Sequence, residues 1–229
     1  MDFCGWEKLS LVDFDDNLTT TLFMAGCPFR CPFCHNGDLV LHPNSVEPIP
    51  FSEIMDFLQK RKGMLDAVCI TGGEPTLMPD LADKIRAIKS LGYLVKLDSN
   101  GYNPDIVISL IEQGLIDYVA MDIKNSKKKY CSTIGVNVDI HRIEKMVYYL
   151  QQEDFPHEFR TTLVHEFHEE SDIREMGLWL GPTKRFFLQR FIDNPHCIVK
   201  GLHPVELEQA DLYKQILRGM GIEAELRGY

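Results

Sequence analysis

The sequence lacks a long apolar run and any excess of positive charge. Nowhere in its 229 residues is there an apolar stretch of the roughly 20 residues that a membrane-spanning helix needs, so we expect no membrane partner. Lysine and arginine total 24 against 34 acidic residues, and the formal net charge of -10 argues against a general nucleic-acid binder. The first residues also lack the basic-then-apolar pattern of a secretory signal. We therefore expect a cytoplasmic protein whose partners are proteins or small molecules.

The cysteines do not have the pattern of a disulfide framework. They number seven, an odd total, and three of them lie within eight residues. In a reducing compartment such a cluster favours metal binding or redox chemistry. The remaining four are scattered, and we interpret them as ordinary buried or idle thiols: Cys4, Cys69, Cys131 and Cys197.

Apolar runs and helical periods alternate along the chain. The runs predict strands at 19–25, 67–71, 93–97, 117–121, 159–164, 185–191 and 222–226. The helical periods predict helices at 53–60, 79–91, 104–113, 138–152, 171–180 and 206–218, with Ser52 as the cap of the first. Repeated β–α units predict an α/β fold with a mostly parallel sheet, which is either an open doubly wound sheet or a barrel.

Polar or glycine-containing segments directly follow four of the predicted strands. They lie at 27–34, 72–75, 98–101 and 122–124. In barrels of this type the active site lies at the carboxyl ends of the strands. We therefore favour a partial (β/α)6-type TIM barrel of mostly parallel strands, with its active site at those ends. We expect residues 1–193 to form this domain and residues 194–229 to form a C-terminal extension packed on it.

The segment from residue 26 to residue 36 carries the three clustered thiols, Cys27, Cys31 and Cys34, in the spacing C-x3-C-x2-C. Three thiolates without an obvious fourth ligand leave one coordination position open, which is typical of catalytic rather than structural metal sites. Zinc held by two or three of these thiols and a histidine remains an alternative. His35 supports zinc poorly, because a side chain adjacent to Cys34 tends to point away from a metal that Cys34 holds. An iron–sulfur cluster is the favoured interpretation.

The cysteine spacing, with Phe33 directly before the last cysteine, resembles the signature of the radical S-adenosylmethionine (SAM) enzymes. The resemblance implies that Cys27, Cys31 and Cys34 hold a [4Fe-4S] cluster. It also implies that the amino and carboxylate groups of SAM chelate the fourth iron. Phe33 is then expected to pack beside the cluster or the cofactor.

The segment Gly72-Gly73-Glu74-Pro75 follows the second predicted strand. Taken alone, it fits a tight turn from strand to helix, since glycine permits unusual backbone angles and proline suits a helix start. Downstream of the cysteine loop, it resembles the GGE motif of the same family. The resemblance implies that the backbone of Gly72 and Gly73 and the carboxylate of Glu74 receive the SAM amino group.

Two further segments are similar to motifs of glycyl-radical-enzyme activating enzymes. Asp98-Ser99-Asn100-Gly101 alone fits a turn, and Asp122-Ile123-Lys124 alone fits an ion pair at a strand end. They resemble the D-T-N-G and D-x-K motifs, although Ser99 stands where threonine is usual. The resemblance implies that SAM, and in some members a monovalent cation, lies beside the following residues: Asp98, Asn100, Asp122 and Lys124. Arg160 matches an arginine that is suited to pair with the SAM carboxylate.

Over about residues 5–192 the chain resembles the longer form of the activating proteins of anaerobic ribonucleoside-triphosphate reductase. The segment 188–191 contains no histidine, so no SAM-contacting histidine of the pyruvate formate-lyase type is transferred. The resemblance implies reductive cleavage of SAM to a 5′-deoxyadenosyl radical, which takes hydrogen from a glycine of a partner glycyl radical enzyme. It also implies a flavodoxin- or ferredoxin-type electron donor. Two alternatives stay open: a radical SAM enzyme acting on a small molecule or another peptide, and a non-catalytic iron–sulfur or zinc protein.

Overall fold

Strands and helices alternate through residues 3–229, the part of the chain that the computed structural model describes. The strands are β1 Phe3–Ser10, β2 Thr19–Met24, β3 Ala67–Gly72, β4 Leu94–Ser99, β5 Tyr118–Asp122, β6 His157–Leu163, β7 Thr183–Arg190 and β8 Ile222–Arg227. The helices are α1 Gly37–Leu41, α2 Phe51–Arg61, α3 Leu81–Ser90, α4 Pro104–Glu112, α5 Tyr130–Ile134, α6 Ile140–Gln152, α7 Glu170–Leu180 and α8 Leu207–Gly219. A 3-10 turn covers Pro75–Leu77. Within residues 3–229, no helix is long and apolar enough to cross a bilayer.

The strands follow one another in the sheet in chain order, from β1 to β8. Strand β1 is antiparallel to β2, whereas β2 with β3, β3 with β4, β6 with β7, and β7 with β8 are parallel pairs. The predicted α/β class with a mostly parallel sheet is confirmed, and the sheet is open rather than closed, as in a partial barrel.

The chain divides into two compact units, of which the first comprises residues 3–28 and 38–120. Its strand β3 is almost wholly apolar and has four fully buried residues, as a parallel strand covered on both faces requires. Helix α2 buries Ile54 and Leu58, which lie one turn apart on a single face. Helix α3 contributes Leu81, Ile85 and Ile88 in the same manner.

The second unit comprises residues 29–37 and 121–229. Its core contains Phe159 of β6 and Phe186 and Leu188 of β7, all fully buried. Residues 194–229, expected as an extension, supply α8 and β8, and β8 pairs with β7. The expected domain boundary after residue 193 stays a prediction, and it differs from the division into compact units.

Several predicted elements differ from the structure in their bounds. Helix α2 begins at Phe51 with Pro50 as its cap, so Ser52 lies inside the helix and is not its cap. The observed helix α3, Leu81–Ser90, is shorter than the predicted helix at 79–91, because Asp80 occupies the N-cap position. Strand β1 and the five-residue helices α1 and α5 were not predicted.

Candidate active site

In the first unit, the backbone of the Gly72-Gly73-Glu74 segment packs directly against the start of the cysteine loop. The amide of Gly73 donates to Met24 O at 2.8 Å, and the amide of Glu74 donates to Gly26 O at 2.8 Å. A Cβ atom at position 73 would lie 1.9 Å from Gly26 O, which no side chain allows. Glycine at this position therefore sets how closely the turn after β3 approaches the residue before Cys27.

The Glu74 carboxylate is fully buried and is bonded within the protein. Its Oε1 accepts from the amide and hydroxyl of Thr76, at 3.2 and 2.6 Å, and from the Ser99 hydroxyl at 2.9 Å. Its Oε2 accepts from the Asn100 amide at 2.7 Å. Burial raises the pKa of Glu74, and these hydrogen bonds oppose the rise. The carboxylate thus joins the turn after β3 to the end of β4.

The side chain of Asn100 faces the first cysteine of the loop. Its Nδ2 lies 3.6 Å from Cys27 Sγ, and its Oδ1 accepts from the Tyr102 amide at 2.9 Å. Asn100 is 5% exposed. The expected place of Asn100 beside SAM stays a prediction. In the structure its carboxamide contacts Cys27, an expected cluster ligand.

Asp98 lies inside β4 rather than after it. Its Oδ1 is 3.6 Å from Nζ of Lys96, which lies two residues away on the same face of the strand. The Lys96 ammonium also donates to the backbone oxygen of Asp13. Asp98 is therefore one member of a largely buried ion pair.

In the second unit, Cys31 and Cys34 lie in a tight turn, closed by a hydrogen bond of 3.0 Å from the Cys34 amide to Cys31 O. The turn is anchored on both sides, because Arg30 N donates to Ile134 O and Val199 N donates to Pro32 O. Burial raises the pKa of the Cys31 thiol to about 11, although the Lys124 charge acts in the opposite direction. Burial likewise raises the pKa of Cys34. A bound metal would stabilise the thiolate form of both cysteines.

Asp122, Lys124 and Arg160 form a partly buried charge cluster in the second unit. Asp122 Oδ2 is 2.9 Å from Lys124 Nζ, and Asp122 Oδ1 is 3.0 Å from Arg160 Nε. Burial alone would raise the pKa of Asp122, but the two cations outweigh burial and hold it at about 2. The Lys124 pKa is raised above its usual value because the attraction of Asp122 exceeds the effect of burial. The cluster is charged at neutral pH.

The aromatic residues around Cys34 are packed within the second unit. Phe33 is 4% exposed, and its ring centroid lies 5.7 Å from that of Phe167. The ring of His35 stacks on Phe191 at 5.5 Å, and burial lowers the pKa of His35. The His35 side chain therefore packs against Phe191 within the second unit.

Sequence reasoning missed Thr76, and it treated Ser99 only as a departure from a motif. Both hydroxyls donate to Glu74. The hydroxyl types alone gave no signal, since threonine and serine in turns commonly bond to nearby backbone. The sequence also gave no sign that His168 contacts the backbone of Lys124, whose oxygen lies 2.9 Å from His168 Nε2.

The donor set fits an iron–sulfur cluster. Three thiols lie within eight residues, and soft thiolate ligands favour iron–sulfur clusters, zinc and copper(I). Cys27 also faces an amide donor, as cluster-bound sulfurs commonly do. Among residues 3–229, no three His, Cys, Asp or Glu side chains are grouped so as to hold a single metal ion.

Residues 21–179 match the model of the radical SAM superfamily. The chain belongs to this superfamily. The expected family and enzyme class are thereby confirmed. Membership of the radical SAM superfamily implies a [4Fe-4S] cluster and SAM as cofactors, in agreement with the chemistry of the three thiols.

Two individual relatives indicate more specifically which kind of protein the chain is similar to. The chain is 34% identical over 196 residues to a Methanocaldococcus jannaschii protein named as a glycyl-radical enzyme activating enzyme, covering 82% of this chain and 78% of that protein. It is 30% identical over 170 residues to the pyruvate formate-lyase-activating enzyme of Listeria monocytogenes, covering 69% and 66%. The expected likeness to glycyl-radical-enzyme activating enzymes is confirmed.

A solved structure of another protein shares the fold. Streptococcus suis SuiB superposes with a TM-score of 0.71 at 16% identity, over 92% of this chain and 49% of SuiB. The chain thus spans about half of SuiB and about two thirds of the Listeria protein. At this low identity the likeness to SuiB shows the fold alone.

Proposed function

We propose that this chain activates a glycyl radical enzyme by taking a hydrogen atom from a glycine of that partner. The observation that carries the proposal is its likeness to a named activating enzyme over 82% of its length. The cysteine loop in this chain, with its open coordination position, supplies the chemistry that such a reaction needs.

Cys27, Cys31 and Cys34 are proposed to ligate three irons of the cluster. When bound, the cluster and SAM supply reductive cleavage of the sulfonium to a 5′-deoxyadenosyl radical. The backbone of Gly72 and Gly73 lies at the close approach to the cysteine loop and is proposed to receive the amino group of SAM. This role suits the backbone better than Glu74, whose carboxylate already accepts four hydrogen bonds.

The charged cluster of the second unit is proposed to position the carboxylate and ribose of SAM. Lys124 and Arg160 carry the positive charges that a carboxylate needs. Asp122 holds both of them in place through its two oxygens. Phe33 is proposed to exclude water beside the last cysteine.

A monovalent cation near Asp98 or Asp122 remains part of the proposal. Each aspartate already has a lysine ammonium within 4 Å, namely Lys96 and Lys124 respectively. A cation would compete with these ammonium groups. A potassium or sodium dependence of SAM affinity at constant ionic strength would support it, and identical affinity in both salts and in a tetramethylammonium salt would contradict it.

A reducing compartment, the cytoplasm, is the proposed location. None of the seven cysteines, all of which lie within residues 3–229, forms a disulfide. An oxidising compartment would consume the clustered thiolates that the cofactor requires. A flavodoxin- or ferredoxin-type protein is the proposed electron donor.

Anaerobic ribonucleoside-triphosphate reductase is the proposed partner. Support comes from the sequence segments 118–122 and 159–162, which resemble those of its activating proteins, and from the absence of a histidine in segment 188–191. Pyruvate formate-lyase is the competing partner, since activating enzymes for it are among the relatives.

The test mixes the reduced, cluster-loaded chain with SAM and each candidate partner in turn under anaerobic conditions. We expect a glycyl-radical doublet in the electron paramagnetic resonance (EPR) spectrum with the reductase. With a partner that carries α-deuterated glycine, we expect deuterium in the product 5′-deoxyadenosine. A matched chain with Cys27→Ala gives neither signal.

Other outcomes distinguish the alternatives. A doublet only with pyruvate formate-lyase would reassign the partner. Production of 5′-deoxyadenosine without a doublet on any glycyl radical enzyme would overturn the activating function and favour a small-molecule or peptide substrate. Cluster binding without any SAM cleavage would favour a non-catalytic iron–sulfur protein, and one bound zinc would favour a zinc protein.

A further inference from the structure

The Asn100 carboxamide faces Cys27, a cysteine of the predicted cluster loop. Its Nδ2 lies 3.6 Å from Cys27 Sγ, within the range of an N–H···S hydrogen bond. Asn100 lies immediately after β4, and Cys27 lies three residues after the end of β2. The contact therefore joins two loops that are 73 residues apart in sequence.

The orientation of this carboxamide is fixed by its other end. Asn100 Oδ1 accepts from the Tyr102 backbone amide at 2.9 Å. Exchanging the oxygen and the NH2 group would place two donors together at Tyr102 and would turn the oxygen toward the sulfur. The NH2 group must therefore face Cys27.

The backbone of Asn100 is also held. Its amide donates to Glu74 Oε2 at 2.7 Å, and Glu74 is fully buried. The Asn100 side chain is itself almost fully buried, at 5% exposure. Because this carboxamide is buried and is restrained at both its backbone and its side chain, its N–H already points at the sulfur. Cluster binding therefore costs no conformational entropy for this side chain.

We propose that Asn100 is a positioning residue that donates an N–H···S hydrogen bond to the Cys27 ligand and so raises the reduction potential of the cluster. A hydrogen bond to a ligand sulfur stabilises the reduced cluster more than the oxidised one, because reduction adds negative charge to the iron–sulfur core. Asn100 then makes the cluster easier to reduce before SAM is cleaved. The inference rests on the proposed function, because it requires Cys27 to ligate a cluster.

The test compares the wild-type chain with Asn100→Ala and Asn100→Ser, each carrying its cluster. The midpoint potential of the one-electron couple is measured by EPR-monitored redox titration without SAM. We expect both variants to shift to a more negative potential. In heavy water, we expect a deuteron coupling of the reduced wild-type cluster, seen by pulsed EPR, to be missing from both.

Asn103→Ala is the matched control. Asn103 lies in the same loop, but its Nδ2 donates to the Thr76 hydroxyl at 2.9 Å instead of to a sulfur. We expect its midpoint potential and its deuteron couplings to equal those of the wild type. Asn100→Ser keeps a side-chain acceptor for the turn, so the same measurements can be made on it if Asn100→Ala does not fold.

An unchanged or more positive potential in folded Asn100 variants with full iron content would overturn the inference. So would failure of both variants to bind a cluster while Asn103→Ala binds one, because Asn100 would then be needed to hold the ligand rather than to tune it. A wild-type chain that binds no [4Fe-4S] cluster refutes the proposed function itself. A wild-type chain that cleaves SAM alongside unshifted variants refutes only the role of Asn100.

Discussion

At the scale of single residues, two carboxylates of the candidate site form hydrogen bonds and ion pairs within the protein itself, in the absence of any ligand. Glu74 accepts hydrogen bonds from Thr76, Ser99 and Asn100, and Asp122 pairs with Lys124 and Arg160. Each therefore has a structural role that is measurable in the metal-free chain. The motif resemblance indicated these residues as ligand contacts and gave no sign of this role.

Replacing Glu74 with glutamine should destabilise the metal-free chain. One of the two oxygens becomes an NH2 group, which must face either the Asn100 amide or the donors at Thr76 and Ser99. We expect a loss of about 1–3 kcal/mol in the free energy of unfolding, as for a buried donor left unpaired. Urea unfolding measures it, with the exposed Glu53→Gln as the control that should change little.

Asp122 should make stability depend on pH in the acid range. Its folded-state pKa of about 2 lies below its value in the unfolded chain, so the unfolded chain takes up this proton first as the pH falls. The stabilisation is complete above about pH 4 and is lost as the pH falls toward 2. Asp122→Asn should therefore lower stability near pH 7 by about 2 kcal/mol, and this difference from the wild type should shrink at pH 3.

Urea unfolding of the metal-free chain at several pH values checks the Asp122 prediction. Asp56→Asn, which alters an exposed carboxylate of α2, is the control and should follow the wild type throughout. A difference between Asp122→Asn and the wild type that stays constant from pH 7 to pH 3 would contradict the charge cluster.

At the scale of elements, the close approach of the turn after β3 to the residue before Cys27 positions the first half of the site. The approach depends on Gly73, whose added Cβ would collide with Gly26 O. Because parallel β2 and β3 are in register, ending with Met24 opposite Gly72, the two loops must leave the sheet side by side. Sequence spacing cannot predict such a backbone contact.

Gly73→Ala should disturb this approach. The collision is with backbone rather than with a flexible side chain, so we expect about 1–3 kcal/mol of destabilisation and weakened iron binding. Gly219→Ala is the matched control at the end of α8, where an added Cβ meets nothing within 4 Å. It should be neutral or slightly stabilising. Thermal unfolding and iron content measure both, and equal behaviour of the two variants would refute the account of Gly73.

The elements also show what a sequence can and cannot predict. The strand–helix order was predictable because runs such as 67–71 are almost wholly apolar, and this run is followed directly by Gly72. Strand β1 was missed because Glu7 and Lys8 interrupt its pattern, and its pairing with β2 depends on contacts distant in sequence. Helices α1 and α5 have only five residues, too few for a helical period to appear.

As with the secondary-structure elements, some features of the candidate site were predictable from the sequence and others were not. The three cysteines were predictable because their spacing is local in sequence. The bonds of Glu74 with Ser99 and of Asn100 with Cys27 were not, since each joins loops that only the folded sheet brings together. Likewise, the pairing of Asp122 with Arg160 spans 38 residues.

At the scale of the whole molecule, cofactor binding and activity should both depend on the three thiols. The chain supplies three thiols, an amide donor and charged groups, whereas the bond cleavage belongs to the cofactors. Cluster loading should also raise the unfolding temperature, because metal that binds only the folded chain stabilises it. Replacing Cys27, Cys31 and Cys34 together by alanine should remove this increase.

The central claim is that these three thiols hold a [4Fe-4S] cluster that cleaves SAM. The most direct measurement is iron and sulfide content after anaerobic reconstitution, together with SAM-dependent formation of 5′-deoxyadenosine by the reduced protein. We expect about four irons per chain and product formation by the wild type, with neither in the triple alanine variant. One bound zinc per chain, or a cluster that yields no 5′-deoxyadenosine, would contradict it.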